Sequence, residues 1–283
     1  VTVPTTTRAT ITTGKGADTV TVGDGGSALV NSITTGDGAD TIVSGAGADT
    51  INSGDDGGSI TSGAGNDNIT SGDGVDTITL GDGDDTVVNS GAGADVIDGG
   101  AGNDTVTTSG AGADKITLGT GNDTVTTAGA GADSITGGTG NDNLSGGADN
   151  DTIDGGAGND TLNGDAGNDS IVGGDGNDTI TDGAGNDTVT GGDGVDTITI
   201  STGNDNVDAG AGNDVITITG LSNADTITGG AGTDSLTITN SSTGTLTPQF
   251  TSIESLTVKT SVAFGLNQTT ATDTTSLVTF TIS

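Results

Sequence analysis

The sequence predicts an all-β protein in which short parallel strands stack into a β-solenoid. A nine-residue glycine-rich unit recurs along most of the chain, as in GGAGNDTLN at residues 155–163. Each unit ends in one aliphatic residue between two polar residues, which are usually the β-formers threonine and serine. Aspartate recurs in register with that aliphatic residue, which ties the charge pattern to the same repeat. Together these patterns predict a stack of repeated coils.

The composition alone is typical of a disordered chain. The 283 residues include 56 glycines, only 28% are hydrophobic, and the net charge is −35. Folding therefore requires both the repeats and a partner that neutralises the charge. A chain this acidic repels phosphate, so we predict no nucleic-acid partner and expect cations instead.

Several functional classes are disfavoured by the residues that the sequence lacks. It has no His, Cys, Tyr or Trp, so thiolate and imidazole ligands and the commonest catalytic bases are missing. Each regularly spaced aspartate belongs to a repeat, and we therefore predict that the chain is not an enzyme. No apolar run is long enough for a membrane span, so no membrane insertion is expected.

The repeated unit has the frame Gly-Gly-x-Gly-x-Asp-x-U-x, where U is aliphatic, and its residues are numbered here as positions one to nine. Glycine at positions one, two and four permits a tight six-residue loop. The last three residues form a strand that points U inward. Two units close one coil, and successive coils stack about 4.8 Å apart. The aliphatic repeat has 24 members from Val20 to Leu236, including Ile33 and Ile60, whose loops have lost the aspartate.

The 22 aspartates at position six are predicted to form two rows, because alternate units lie on opposite edges of the coil. The first Asp row contains Asp18, Asp40, Asp76, Asp95, Asp114, Asp133, Asp151, Asp169, Asp187, Asp205 and Asp225. The second Asp row contains Asp49, Asp67, Asp85, Asp104, Asp123, Asp142, Asp160, Asp178, Asp196, Asp214 and Asp234. The first row is interrupted at the unit of Ile60, which leaves nine neighbouring pairs there and ten in the second row.

Stacked carboxylates about 5 Å apart repel by about 1 kcal/mol in water and by several at an effective dielectric near 20. Oxygen ligands without nitrogen or sulfur favour Ca²⁺ over zinc or copper. We therefore predict calcium between neighbouring aspartates, on the order of 19 ions, without which the coils should not form. Nineteen divalent ions would nearly cancel the net charge of −35.

Residues 14–239 resemble the RTX (repeats-in-toxin) nonapeptide proteins, of the kind found among type I-secreted bacterial surface-layer proteins. The resemblance rests on the repeated frame GGxGxDxUx, as in GGDGNDTIT at residues 173–181. It implies a right-handed parallel β-roll of about twelve coils. It also implies that the position-six aspartates and loop carbonyls bind Ca²⁺, and that the protein is secreted to the cell surface or beyond.

The chain outside the repeats is predicted to form the ends of the roll. Residues 1–13 are a lead-in strand, and residues 240–283 are a small C-terminal β cap with a candidate type I secretion signal. The aliphatic repeat stops at Leu236, while alternation in SLTVKT and LVTFTIS predicts two further strands. The stretch SIESLTV at residues 252–258 resembles segments that follow RTX rolls in surface-layer proteins.

Between residues 76 and 142 the spacing of the aspartates alternates between nine and ten. The loops that follow the extra residue carry alanine at position five, whereas those on the opposite edge carry asparagine. This asymmetry is compatible with a contact face or with drift among tolerant repeats.

The sequence thus predicts an extracellular calcium-dependent structural protein, a subunit of a surface layer or fibre that assembles with copies of itself. The alternative is the C-terminal folding and secretion module of a larger type I-secreted adhesin or hydrolase.

Overall fold

The computed structural model describes residues 1–4, 8–23, 29–127, 129–222, 224–239, 249–259 and 279–282. The chain divides into two compact units, Val1–Asn143 and Leu144–Ser283. Each unit is a parallel β-solenoid, and the two contain about thirteen turns in all, which confirms the predicted fold class. None of the described residues belongs to a helix that could cross a membrane.

The first unit consists of two parallel ladders, one of odd-numbered and one of even-numbered strands. Consecutive strands alternate between the ladders, so that each coil contributes one strand to each. The strands are β1 (Thr2–Val3), β2 (Thr10–Thr12), β3 (Thr19–Val22), β4 (Ser32–Thr34), β5 (Thr41–Val43), β6 (Thr50–Asn52), β7 (Ser59–Ala64), β8 (Asn68–Ser71), β9 (Thr77–Asp82), β10 (Thr86–Asn89), β11 (Val96–Ala101), β12 (Thr105–Thr108), β13 (Lys115–Thr120), β14 (Thr124–Thr127) and β15 (Ser134–Thr139).

The second unit repeats this arrangement after β16 (Asn143–Ser145), which begins at the last residue of the first unit. One ladder contains the odd-numbered strands from β17 to β27, and the other contains the even-numbered strands followed by β29. The strands are β17 (Thr152–Ala157), β18 (Thr161–Asn163), β19 (Ser170–Asp175), β20 (Thr179–Thr181), β21 (Thr188–Asp193), β22 (Thr197–Thr202), β23 (Asn206–Ala211), β24 (Val215–Gly220), β25 (Thr226–Thr228), β26 (Ser235–Ile238), β27 (Gln249–Thr251), β28 (Ser255–Val258) and β29 (Thr279–Ile282).

The core of each unit consists of the aliphatic residues at position eight. All 24 members of the repeat from Val20 to Leu236 are buried, with exposed fractions of 0 to 1%. They pair in register along the ladders, as Ile97 does with Ile78 and Ile116. The predicted inward alternation is therefore confirmed at each of these positions.

The parallel ladders continue past the predicted end of the aliphatic repeat. Phe250 pairs in register with Ile227, and Leu256 pairs with Leu236; both side chains are buried. The aliphatic repeat ends at Leu236 in the sequence, yet the parallel pairing of coils continues at these residues. The two strands expected from alternation are β28 and β29, which pair with each other. Most of the predicted cap and secretion signal, at 240–248, 260–278 and 283, lies outside the described residues.

The extra residue of the 19-residue coils lies just after a strand of the even-numbered ladder. Asn89 at the end of β10 pairs in register with Ser71, the last residue of β8 in an 18-residue coil, and both are buried. A Cβ at Gly91 would lie 1.8 Å from the carbonyl oxygen of Gly72, so the exposed Ser90 is the residue without a counterpart. The insertion therefore leaves the inward-facing positions of the coil unchanged.

Candidate metal centre

The predicted aspartates lie at the inner side of the loops, each directly before a strand. Twenty-one of the 22 are buried, with exposed fractions of 0 to 6%, while Asp18 is half-buried. Position six faces inward for the same reason as position eight, because side chains alternate along the extended backbone. The repeat therefore places carboxylates in the interior, where an unpaired charge is costly.

The aspartates of each row are linked by a regular chain of hydrogen bonds. The backbone N–H of Asp104 donates to Oδ1 of Asp123 (2.7 Å), and that of Asp123 donates to Oδ1 of Asp142 (2.8 Å). Every predicted pair whose members lie in one unit has this bond, at 2.7 to 3.1 Å. Within each unit the structure thus brings together neighbours that are two repeats apart in sequence.

Two further row members were not predicted from the sequence. Asn31 accepts a hydrogen bond from the Ala9 N–H through Oδ1 (3.0 Å) and donates its own N–H to Asp49 (2.6 Å). At the other end, the Asp234 N–H donates to Oε2 of Glu254 (2.8 Å). Each lies two residues before a buried aliphatic residue, which is the signal that could have identified it. Asn31 and Glu254 therefore extend the second row at its two ends.

The predicted interruption of the first row lies at Gly58. Its backbone N–H donates to Oδ1 of Asp76 (2.7 Å), as an aspartate N–H does elsewhere in the row. Because glycine supplies no carboxylate, the row lacks a metal ligand at this coil, although the backbone hydrogen bond to the next aspartate is kept.

The second carboxylate oxygen of many row members has no partner. Among the described residues, buried Oδ2 atoms without a hydrogen bond belong to Asp40, Asp85, Asp104, Asp123, Asp169, Asp178, Asp187, Asp196, Asp205, Asp214 and Asp234. Two other members differ: Oδ2 of Asp95 accepts a bond from the Asn89 side chain (2.8 Å), and Oδ2 of Asp225 accepts one from the Ser222 N–H (2.7 Å). Repeated buried acceptors without donors are expected where a cation supplies the missing interaction.

Glycine at position four lets the loops of successive coils approach closely. Gly102 and Gly121 have φ of +136° and +146°, which L-residues with side chains rarely adopt. A Cβ at Gly121 would lie 1.7 Å from the carbonyl oxygen of Gly102. The loops therefore stack backbone on backbone, with carbonyl oxygens between neighbouring coils.

Burial raises the pKa of many carboxylates in the rows. Desolvation raises the pKa of Asp123, Asp178 and Asp205 to about 6, and that of Asp85 to about 7. Hydrogen bonds from the backbone N–H groups oppose this shift, while carboxylates of the neighbouring coils add to it. The fold thus disfavours the charged form unless a cation compensates for it.

Asp182 is a further buried carboxylate that the sequence analysis did not single out. It occupies position one of its unit, has an exposed fraction of 0%, and follows the inward-facing Ile180 and outward-facing Thr181. Desolvation raises its pKa to about 7. Alternation through Thr181 could have predicted its burial.

The residues of both rows suit a hard divalent cation. Many of them offer a buried carboxylate oxygen without a protein partner, beside loops whose backbones present carbonyl oxygens. Calcium takes six to eight such oxygens, whereas zinc and copper sites are built around nitrogen or sulfur. Calcium therefore fits this set of donors.

Acidification is expected to favour the calcium-free fold. The unfolded chain releases carboxyl protons near pH 4, whereas Asp85 and Asp123 in the folded chain hold theirs to about pH 7 and about pH 6. The stability that the protonated row carboxyls contribute is therefore fully present below about pH 4, and it is lost as the pH rises towards about 7. Circular dichroism in calcium-stripped buffer should show β structure increasing from pH 7 down to pH 4. A chain that stays unfolded throughout this range would contradict the prediction.

Comparison with known families gives one result. The model of the RTX calcium-binding nonapeptide repeat matches residues 25–60, 54–87, 90–125, 127–162, 163–198 and 217–237. These ranges cover more than half of the chain and include members of both Asp rows in both units. A search of curated proteins found no significant match.

Proposed function

This chain belongs to the RTX calcium-binding nonapeptide repeat family, and from that premise we propose that it is an extracellular structural protein folded by calcium. In this proposal it serves as a subunit of a bacterial surface layer or extracellular fibre. Calcium binding is indicated by the repeats themselves. The surface-layer or fibre role, the secretion and the assembly are the parts that we propose.

The observation that carries the proposal is the pair of buried Asp rows. In each unit the row carboxylates follow one another from coil to coil, each accepting the backbone N–H of its neighbour, and many have an oxygen without a partner. We assign Ca²⁺ to the spaces between neighbouring row members, held by the 22 predicted aspartates together with loop carbonyls. Glu254 adds one carboxylate beyond Asp234. The ions therefore take the place of the larger apolar core that this composition cannot provide.

The outward faces of the units suit contact between identical subunits. Thr86, Thr105 and Thr124 lie in register along one ladder of the first unit. In the second unit, Thr161, Thr179 and Thr197 do the same. About nineteen calcium ions would bring the net charge from −35 to near zero, which removes the repulsion between copies. Nearly neutral faces of regular geometry favour ordered homopolymers.

Calcium is expected to assemble the purified chain into ordered sheets or filaments that chelation dissolves. Light scattering and electron microscopy measure this assembly. The calcium concentration is about 10 mM, which is well above the affinity range of extracellular calcium modules. The variant Thr105→Lys/Thr179→Lys places charge on two exposed, outward-facing ladder positions, the position that Lys115 already occupies after Asp114. It should keep the calcium-induced circular dichroism of the wild type and assemble poorly.

A strictly monomeric wild type under these conditions would contradict the structural role. It would favour the alternative, in which the chain is the folding and secretion module of a larger secreted adhesin or hydrolase. Normal assembly of the double-lysine variant would show instead that these threonine ladders are not the contact faces.

A further inference from the structure

Position one of the repeat lies close to Oδ2 of the row carboxylates. A Cβ placed at Gly173 would lie 2.4 Å from Oδ2 of Asp178, and one at Gly191 would lie 2.5 Å from Oδ2 of Asp196. Glycine at position one therefore leaves space beside Oδ2 in most units of the second half of the chain. A side chain at this position comes directly against the row.

Asp182 places a third carboxylate in this space. One oxygen each of Asp182, Asp187 and Asp205 lie within 4.8 Å of one another, and all three residues are buried. Oδ1 of Asp182 accepts the N–H of Ser201 (2.9 Å), while its Oδ2 has no hydrogen-bond partner. Calcium–oxygen distances of about 2.3 to 2.6 Å place ligands of one ion at most about 5 Å apart, so one ion can contact all three.

Packing does not explain why an aspartate occupies this position. The same position holds Ile200 in one later nine-residue repeat and Ala209 in the next, and both are fully buried. An apolar or small residue is therefore tolerated there, and Asp182 introduces a buried charge that either of these would avoid. Such a charge is costly without a compensating cation.

We propose that Asp182, Asp187 and Asp205 form a three-carboxylate calcium site that binds more tightly than the two-aspartate sites and fills first. The proposal rests on calcium ligation by the Asp rows and adds to it a ligand outside the repeat pattern. Affinity at calcium sites depends on the number of charged ligands, and a third carboxylate is expected to tighten binding about tenfold. The coils around Asp182 then begin to order at the lowest calcium concentrations.

Equilibrium dialysis with radioactive Ca²⁺ on the full chain tests the site. The wild type should bind one ion per chain at free calcium about tenfold below that required by the rest. In Asp182→Ser the tight class should disappear, because Asp187 and Asp205 then form an ordinary two-aspartate site. The other ions should remain, because Ser44, Ser62 and Ser71 show that serine is accommodated at position one. The control Asp193→Asn removes an equal charge from the exposed last residue of β21 and should keep the tight ion.

The outcomes separate this site from the calcium function as a whole. A wild type without a distinct tight ion, or an Asp182→Ser variant that binds like Asp193→Asn, would overturn the three-carboxylate site alone. A wild type that binds no calcium would overturn the proposed function as well. If Asp182→Ser fails to fold, Asp182→Asn retains the acceptor for the Ser201 N–H and should still lose the tight ion.

Discussion

Replacing Asp123 with alanine is expected to weaken calcium-dependent folding far more than replacing Asp18 with alanine. Asp123 is buried and shared by two neighbouring pairs, because it accepts the N–H of Asp104 and donates its own N–H to Asp142. Asp18 is half-buried and belongs to a single pair with Asp40. The substitution at Asp123 therefore removes a ligand from two sites, whereas that at Asp18 removes one from a single site beside the interruption at Gly58.

The expected result is a less cooperative calcium titration with a higher midpoint for Asp123→Ala. Losing the acceptor of the buried Asp104 N–H alone costs about 1 to 3 kcal/mol. Asp123→Asn separates this loss from the loss of charge, since Asn31 shows that an amide accepts the same bond. It should keep part of the stability and still lose calcium cooperativity.

The exposed Asp82 provides a matched control for this series. Asp82→Asn removes one negative charge from the same unit without touching a row, and it should titrate like the wild type. Identical titrations of Asp123→Ala and Asp18→Ala would show that the carboxylates do not act as the two rows described.

The fold could be predicted from the sequence because the periodicity is strong and local. A single aliphatic residue every nine or ten positions, as at Ile97, Val106 and Ile116, leaves one arrangement that buries them all in register. Glycine and aspartate at fixed offsets determine where each loop turns. Long-range pairing therefore follows from counting along the chain.

Departures from the consensus were harder to foresee. Asn31 and Glu254 continue the second row by their position in the coil, although neither is an aspartate. Phe250 stands where an aliphatic residue is usual, and the sequence just before it lacks the repeated frame, so the period is not visible there. These residues are recognised from the stacking of coils, which tolerates variation that a residue-by-residue motif does not.

The site of Asp182 depends on three-dimensional proximity that the repeat frame does not encode. Asp187 and Asp205 are predicted neighbours in the first row, but Asp182 occupies a position that is usually glycine in its half of the chain. Its burial follows from alternation after Ile180, whereas its approach to two row members is evident only in the three-dimensional structure.

Removing calcium is expected to have the largest effect on this protein, because it leaves the stacked carboxylates uncompensated. Their pKa values are raised by burial, to about 7 for Asp85 and about 6 for Asp169, so at neutral pH the fold must hold partly or fully charged groups in its interior. A disordered chain relieves this cost by exposing them to water. In excess chelator at neutral pH the chain should therefore unfold, and millimolar Ca²⁺ should restore it.

The most direct test follows bound calcium and β structure in the same titration at neutral pH. Calcium binding is measured by equilibrium dialysis and secondary structure by circular dichroism on the same samples, with Mg²⁺ as the control cation. We predict that β structure is absent in chelator and rises together with calcium, reaching completion on the order of 19 ions per chain. A chain that is equally β-rich in excess EDTA, or that folds without binding calcium, would contradict the role assigned to the Asp rows.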